Sequence, residues 1–184
     1  MGAGMRPLGL GAVWVKVVQV TKLVTFDDCF EELLRHEGGF VDNSALGDQG
    51  GPTKYGVTQA EARDAGYTGP IEYLPLSTTK RIYQTRYWTA VRAEELPTEL
   101  RYVVFDSAVN SGPNQAVRWL QHALEVRVDG VLGPVTLKAA QECEPLRVTG
   151  LILAQRLVFM TNLPSWGRFS RGWARRIAAL LQEA

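Results

Sequence analysis

After residue 60, the apolar residues of this chain recur at helical spacing, and the strict alternation of a half-buried strand is scarce. Before that point, residues 40–57 are irregular and rich in glycine, and a short hairpin is expected around Phe40-Val41 and Tyr55-Val57. The sequence therefore predicts a mainly α fold whose strands are confined to one small hairpin beside a glycine-rich loop.

Capping and breaking residues indicate where the helices begin and end. Thr58 and Glu61 form a capping box, Thr98 is expected to cap a later helix, and Pro134 suits a first helical turn. Two longer helices are predicted near the end of the chain, over residues 147–162 and 168–183.

Composition limits the class of function. The chain has 184 residues, 46% of them hydrophobic, which is enough for one compact core with a small subdomain. Its 20 basic and 19 acidic residues give a net charge of +1, whereas a dedicated nucleic-acid binder is normally strongly basic. Cys29 and Cys143 lack metal-ligand spacing and the two histidines form no helical ligand pair, so we expect neither a metal nor a cofactor. Cys29 falls within an apolar helical pattern and is predicted to be a core thiol.

The first 24 residues do not fit the helical pattern. Their apolar run is interrupted by Lys16, Gln19 and Lys22, is too short to span a bilayer, and is followed by no convincing cleavage site. We interpret residues 1–24 as a poorly ordered or strand-like extension without a clear signal peptide.

Glu37 stands where an amphipathic helix should stop, just before Gly38-Gly39. It follows Leu33 and Leu34 by three or four positions, so its side chain is expected near the buried stripe of that helix. Partial burial and the helix C-terminal dipole both disfavour the carboxylate and would raise the pKa of Glu37 from about 4.3 towards about 6. A general acid that works near neutral pH needs such a pKa.

Asp48 and Thr53 follow in the glycine-rich loop and offer a second carboxyl and a hydroxyl group. Taken alone, Asp48 is typical of a turn and Thr53 of a strand or a cap. Together with Glu37, they could form the two walls of a cleft for glycosidic-bond cleavage, in which one carboxyl protonates the leaving oxygen and the other directs water or stabilises the cationic sugar.

The same residues carry a family resemblance. The segments 37–41, 48–53 and 55–58 read EGGFV, DQGGPT and YGVT, and the similarity continues through FDSAVNSG at 105–112, WLQHAL at 119–124 and VDGVLGPVT at 128–136. This pattern resembles glycoside hydrolase family 108, the N-acetylmuramidases of the lysozyme-like superfamily, which are often phage endolysins. The resemblance covers residues 26–180.

The resemblance implies a lysozyme-like helical domain with its catalytic region at 25–112 and a helical peptidoglycan-binding region at 113–184, packed as one compact unit. It implies a peptidoglycan hydrolase that cleaves the β-1,4 bond between N-acetylmuramic acid and N-acetylglucosamine. Glu37 would be the catalytic acid, and Asp48 and Thr53 would complete a Glu–Asp–Thr constellation. The loop after Val41 is longer than the family pattern, so Asp42 is the alternative second carboxylate.

Two further residues are candidates for substrate binding. Tyr55 could stack on a sugar ring or pack under the hairpin, and Asn110 could cap its helix or contact an N-acetyl group. Trp88 and Trp119 lie on apolar helix faces and are predicted to be core residues.

The region from Pro145 to Gln182 contains no acidic residue but six arginines, namely Arg147, Arg156, Arg168, Arg171, Arg175 and Arg176. The simplest interpretation is a solvated helix face; the alternative is contact with an anionic envelope polymer or the outer membrane.

The expected partner is bacterial peptidoglycan, and the expected state is a monomer. A phage lysin without a signal would be made in the host cytoplasm and reach the wall through a holin. The rival hypotheses are a non-catalytic peptidoglycan-binding or structural protein and a nucleic-acid-binding unit in residues 114–142.

Overall fold

The computed structural model describes residues 25–36, 39–41 and 51–183, and the fold of this part is mainly α. The predicted extension at 1–24 lies outside it. The described helices are α1 Phe26–His36, α2 Gln59–Asp64, α3 Leu76–Tyr83, α4 Thr98–Ser111, α5 Pro113–Ala123, α6 Pro134–Glu142, α7 Pro145–Thr161 and α8 Trp166–Glu183. The strands are β1 Phe40–Val41, β2 Thr53–Lys54 and β3 Val57–Thr58, and they form one antiparallel sheet in the order β1-β2-β3.

Helix α1 begins at a reciprocal cap. The Asp28 backbone N–H donates to Thr25 Oγ1 at 3.2 Å, and the Thr25 N–H donates to Asp28 Oδ2 at 2.9 Å. These bonds satisfy donors that have no partner within the helix. The helix then buries a stripe of side chains at helical spacing, formed by Phe26, Cys29, Phe30 and Leu33. The prediction that Cys29 is a core residue is confirmed, and burial raises the pKa of its thiol to about 12.

Helix α4 lies at the centre of the described fold. All seven residues from Tyr102 to Ala108 are buried, so neighbouring elements cover every face of this stretch. It packs against α1 and the segment after α3 on one side, and against α5 and α7 on the other. The residues on either side of position 112 therefore share one core.

An aromatic cluster joins α1, α3 and α4. Phe105 of α4 meets Phe26 at 6.0 Å and Trp88 at 5.5 Å between ring centroids, both edge to face. Tyr83, at the end of α3, lies 5.5 Å from Phe30 of α1. Trp88 belongs to a π-helical turn, Gln84–Trp88, that continues α3. Trp88 is buried here, and Trp119 is buried beneath α7, as the sequence predicts.

Three predicted helix starts lie later than the observed ones, and α7 is one of them, because it begins at Pro145 rather than at about 147. Pro97 rather than Thr98 occupies the N-cap of α4, and the Thr98 hydroxyl instead donates to Glu99 Oε2 at 3.0 Å. The fixed φ of proline suits the residue that leads into a helix, so the helix begins one residue early. Helix α8 begins at Trp166 rather than at 168, because the Ser165 carbonyl accepts the N–H groups of Arg168 and Phe169 and draws Gly167 into the first turn.

Candidate active site

The sheet holds the chain on both sides of the predicted catalytic loop. In the antiparallel register Val41 pairs with Thr53 and Phe40 with Lys54. One step further along, the Tyr55 N–H donates to the Gly39 carbonyl at 3.2 Å. Opposed residues of an antiparallel pair are separated by about 5 Å between Cα atoms. Thr53 and Tyr55 are therefore held beside the segment that directly follows Glu37.

The side chains of Thr53 and Lys54 in β2 lie on opposite faces of the sheet. Lys54 donates from Nζ to the Glu72 carbonyl at 2.6 Å, so its side chain lies on the face that meets the 3-10 turn Ile71–Tyr73. Neighbouring strand residues point to opposite faces, which places the half-buried Thr53 on the other face of the sheet. Thr53 is the member of the predicted constellation whose position the structure describes.

Tyr55 occupies an unusual backbone conformation at the turn between β2 and β3. Its φ is 52°, in the left-handed region that non-glycine residues rarely adopt. Two hydrogen bonds hold it there, the bond to Gly39 and a 2.9 Å bond from Tyr83 Oη to the Tyr55 carbonyl. Because Tyr83 belongs to the aromatic cluster around α1, the turn and the helix that leads to Glu37 rest on the same core.

Helix α2 anchors the far end of the sheet. Thr58 and Glu61 form the predicted capping box, with the Glu61 N–H donating to Thr58 Oγ1 at 3.2 Å and the Thr58 N–H donating to Glu61 Oε2 at 3.0 Å. The Tyr87 hydroxyl also donates to Glu61 Oε1 at 3.3 Å. Glu61 is therefore engaged in structure and is not a free carboxyl beside the sheet.

The two carboxyl groups of the predicted pair, Glu37 and Asp48, lie outside the described residues, as does the alternative Asp42. Their assignment stays a prediction. The structure describes the elements on either side of these residues. Helix α1 ends at His36, β1 spans Phe40–Val41, and β2 begins at Thr53.

Asn110 is exposed in the last turn of α4, and its amide Nδ2 donates to the Asp106 carbonyl at 2.8 Å. This bond lies within α4 and does not decide between the two roles predicted for Asn110. The contact with an N-acetyl group stays a prediction. Across the described ranges, no group of three His, Cys, Asp or Glu side chains is arranged to hold a metal ion.

The sequence analysis missed a buried charge cluster centred on Asp106. Arg156 Nη1 of α7 donates to Asp106 Oδ2 at 2.5 Å, and Arg176 Nε of α8 donates to Oδ1 at 3.0 Å. Burial alone would raise the pKa of Asp106, but the guanidinium groups of Arg156 and Arg176 outweigh it and hold the pKa below its usual range. The sequence contained one signal for this cluster, namely the carboxylate of Asp106 within the largely apolar residues 102–108. A charge buried among apolar residues needs a partner of opposite charge.

This cluster corrects one interpretation of the basic C-terminal region. Arg156 is buried and Arg176 nearly so, so neither belongs to a solvated helix face or can reach an anionic partner. Arg147 is exposed but forms an ion pair with Glu125 at 2.9 Å. The remaining arginines are exposed on α8.

Comparison with known proteins gives a family match over part of the chain. Residues 30–112, which include α1 from Phe30 onwards, the sheet and α4, match the family model described as Glycosyl hydrolase 108. This part of the chain is similar to glycosyl hydrolase 108 domains. The chain also resembles the structure of SagA from Brucella abortus, with a TM-score of 0.77 and 29% sequence identity over 85% of this chain and 91% of SagA. No curated protein matches this chain.

The family match and the structural likeness together confirm the predicted fold class and the predicted enzyme class. The protein is a glycoside hydrolase with a mainly helical, lysozyme-like fold, and peptidoglycan is its substrate class. The matched range ends at Gly112, so a peptidoglycan-binding region at 113–184 stays a prediction.

Proposed function

We propose that this glycosyl hydrolase 108 protein is an N-acetylmuramidase that cleaves the β-1,4 bond between N-acetylmuramic acid and N-acetylglucosamine. The observation that carries the proposal is the pairing of residues 39–41 with 53–55. It supports a cleft in which the hydroxyl of Thr53 and the ring of Tyr55 stand beside the segment that follows Glu37.

In the proposed mechanism, Glu37 is the general acid that protonates the glycosidic oxygen. Its place in the sequence directly after α1 suits this role, because the C-terminal end of a helix dipole disfavours a carboxylate relative to the protonated acid. A positioned acid of this kind contributes about a hundred- to ten-thousand-fold in rate.

Asp48, assisted by Thr53, takes the second role. In an inverting reaction it orients the attacking water, and in a retaining reaction it acts on the sugar directly. We favour inversion by analogy with phage-type lysozymes, an argument from fold alone. The separation of the two carboxyl groups decides between them, at roughly 6.5–9.5 Å for inversion and about 5 Å for retention.

We further propose that the protein is a phage endolysin, made in the host cytoplasm and released to the wall through a holin. The basis of this proposal is the resemblance of residues 37–58 to glycoside hydrolase family 108, whose members are often phage endolysins. The proposal is tested by expressing the protein in the bacterial cytoplasm with and without a holin, where lysis should require the holin.

The decisive test of the reaction is chemical analysis of the ends released from purified peptidoglycan. After borohydride reduction, mass spectrometry should find reduced N-acetylmuramic acid. Reduced N-acetylglucosamine would instead identify a glucosaminidase, and new amino termini would identify an amidase or a peptidase.

The residue assignments are tested with matched variants in a wall-clearing assay. Glu37→Gln should lower the rate at least a hundred-fold, whereas Glu31→Gln, an exposed carboxyl on α1, should leave it unchanged. Asp48→Asn should lose more activity than Asp42→Asn. Clearing by Glu37→Gln at the wild-type rate would remove the assignment of the acid, and the reverse order of the aspartates would move the second carboxylate to Asp42.

A further inference from the structure

Three arginines of α8 form a line on its outward face. Arg168, Arg171 and Arg175 are exposed, and none of them has an ion pair with another described residue. Their spacing of three and four residues places them on one side of the helix, over about 10 Å at 1.5 Å per residue. We call these three residues the arginine stripe. The opposite face of α8 is buried against the core through Ile177 and Leu180.

The arginine stripe does not stabilise its own helix. Arg171 and Arg175 are like charges four residues apart, a spacing that destabilises a helix. Arg168 lies in the first turn, where the helix dipole disfavours a positive charge. Charges of alternating sign would stabilise a solvated helix face more than three positive charges do. We therefore infer that the arginine stripe binds an anion outside the protein.

An aromatic edge adjoins the stripe. Phe169 is 41% exposed, and the Arg168 guanidinium lies over its ring at 5.1 Å from the centroid. The Phe169 ring lies tilted against that of the half-buried Trp173 at 5.7 Å between centroids, and Trp173 lies tilted against Trp166 at 6.1 Å. Arginine combined with exposed aromatic rings is typical of the headgroup level of a membrane.

Short side chains border the arginine stripe on α8. Its exposed neighbours on α8 are the small residues Gly167, Gly172, Ala174 and Ala178. Small side chains leave the three guanidinium groups as the most prominent features, so they can reach a flat array of phosphates. None of the helices in the described ranges has the length and apolar character needed to cross a bilayer, so any contact of this face with a membrane is peripheral.

We propose that the arginine stripe, with Phe169 at its edge, docks α8 on the headgroups of an anionic phospholipid bilayer. One guanidinium group can donate two parallel hydrogen bonds to two oxygens of the same phosphate, and phospholipid headgroups offer such phosphates. The surrounding sequence adds no opposing charge, because residues 145–182 contain no Asp or Glu. This docking is independent of the proposed bond specificity and would hold the hydrolase at the membrane-facing side of the wall.

The test measures co-sedimentation of the full chain with vesicles. Wild-type protein should bind vesicles of phosphatidylcholine mixed with phosphatidylglycerol, bind pure phosphatidylcholine far less, and be released by high salt. The triple variant Arg168→Gln, Arg171→Gln, Arg175→Gln should bind the anionic vesicles about a hundred-fold more weakly.

A charge-matched control carries Arg63→Gln, Arg127→Gln and Lys138→Gln, three exposed basic residues on other elements. It should bind the anionic vesicles nearly as well as wild type. Both triple variants should keep their helical circular dichroism and their activity on soluble glycan fragments, which separates this test from that of the proposed function.

Three results would overturn the proposal. The first is binding of the wild-type protein without a preference for anionic vesicles. The second is a loss of binding by the control variant as large as the loss by the stripe variant. The third is stripe-dependent binding to purified peptidoglycan without binding to vesicles, which would assign the stripe to wall carboxylates instead.

Discussion

Asp106 shows how much one buried carboxylate can contribute to this fold. It lies on α4, accepts hydrogen bonds from Arg156 of α7 and Arg176 of α8, and thereby links α4 to residues 50 and 70 positions further along the chain. Buried ion pairs are costly to assemble, but removing one partner leaves the other charge without compensation. The cluster is therefore a point where a single substitution has a large effect.

We predict that Asp106→Asn lowers the free energy of unfolding by about 3–5 kcal/mol, because Arg156 is left with a buried, uncompensated charge. Urea unfolding followed by circular dichroism measures this change. The exposed Glu142→Gln, which removes a carboxyl from a surface pair with Lys138, should change stability by less than about 1 kcal/mol. Equal effects of the two substitutions would contradict the importance of the cluster.

The same residue predicts a pH dependence. The folded-state pKa of Asp106 lies below its unfolded value of about 3.9, so its stabilising contribution is complete above that pH. It is lost as the pH falls through the folded-state pKa. The difference in unfolding free energy between wild type and Asp106→Asn should therefore narrow as the pH drops below about 4. A constant difference from pH 6 to the most acidic folded condition would count against this account.

At the scale of elements, the sheet and α1 act as one support for the predicted site. The turn at Tyr55 is tied to Gly39 on one side and to Tyr83 on the other. A tyrosine with φ of 52° costs of order 1 kcal/mol in strain, which an aromatic contact with substrate would explain. The structure thus gives a way to separate the two roles considered for this residue.

We predict that Tyr55→Asn lowers the wall-clearing rate about ten-fold while thermal stability stays close to wild type, because asparagine tolerates the left-handed conformation but cannot stack on a sugar. Tyr55→Phe keeps the ring and should retain most activity. If Tyr55→Asn instead loses stability and activity in parallel, Tyr55 packs under the hairpin and does not bind sugar.

For the whole molecule, the position of α4 decides how the chain can be divided. Helix α4 lies within the range that matches the glycosyl hydrolase 108 model, yet α5 and α7 pack against it from outside that range. Gly112 separates α4 from α5 with φ of 84°, a tight corner and not a linker. The predicted regions 25–112 and 113–184 therefore share a core in the described fold.

We predict that a fragment ending at Gly112 does not fold. It would expose the apolar face of α4 and leave Asp106 without either arginine. Circular dichroism and limited proteolysis should find it largely unfolded and rapidly degraded, with no wall-clearing activity, while the full chain resists both. A cooperatively unfolding, active fragment would show that the catalytic region is autonomous.

Local features of this protein were predictable from its sequence. The helical class, the Thr58–Glu61 capping box and the buried face of α1 follow from spacing within one or two turns, and the motif from Glu37 to Thr58 carried the family resemblance. Helix starts were less certain, as Pro97 and Ser165 show, because capping depends on a few dihedral angles.

Only the tertiary structure decided which charges are available to solvent. The six arginines of α7 and α8 look equivalent in sequence. Only the structure shows that Arg156 and Arg176 bind the carboxylate of Asp106, which lies 50 and 70 residues earlier in the chain. No periodicity within a helix encodes a partner at that distance. The sequence determined that this chain is a helical glycoside hydrolase with a glutamate after its first described helix. The packing of α4 against α7 and α8 decided that two of the six arginines hold the core together and that the other four remain on the surface, because buried charge must be paired where helices meet.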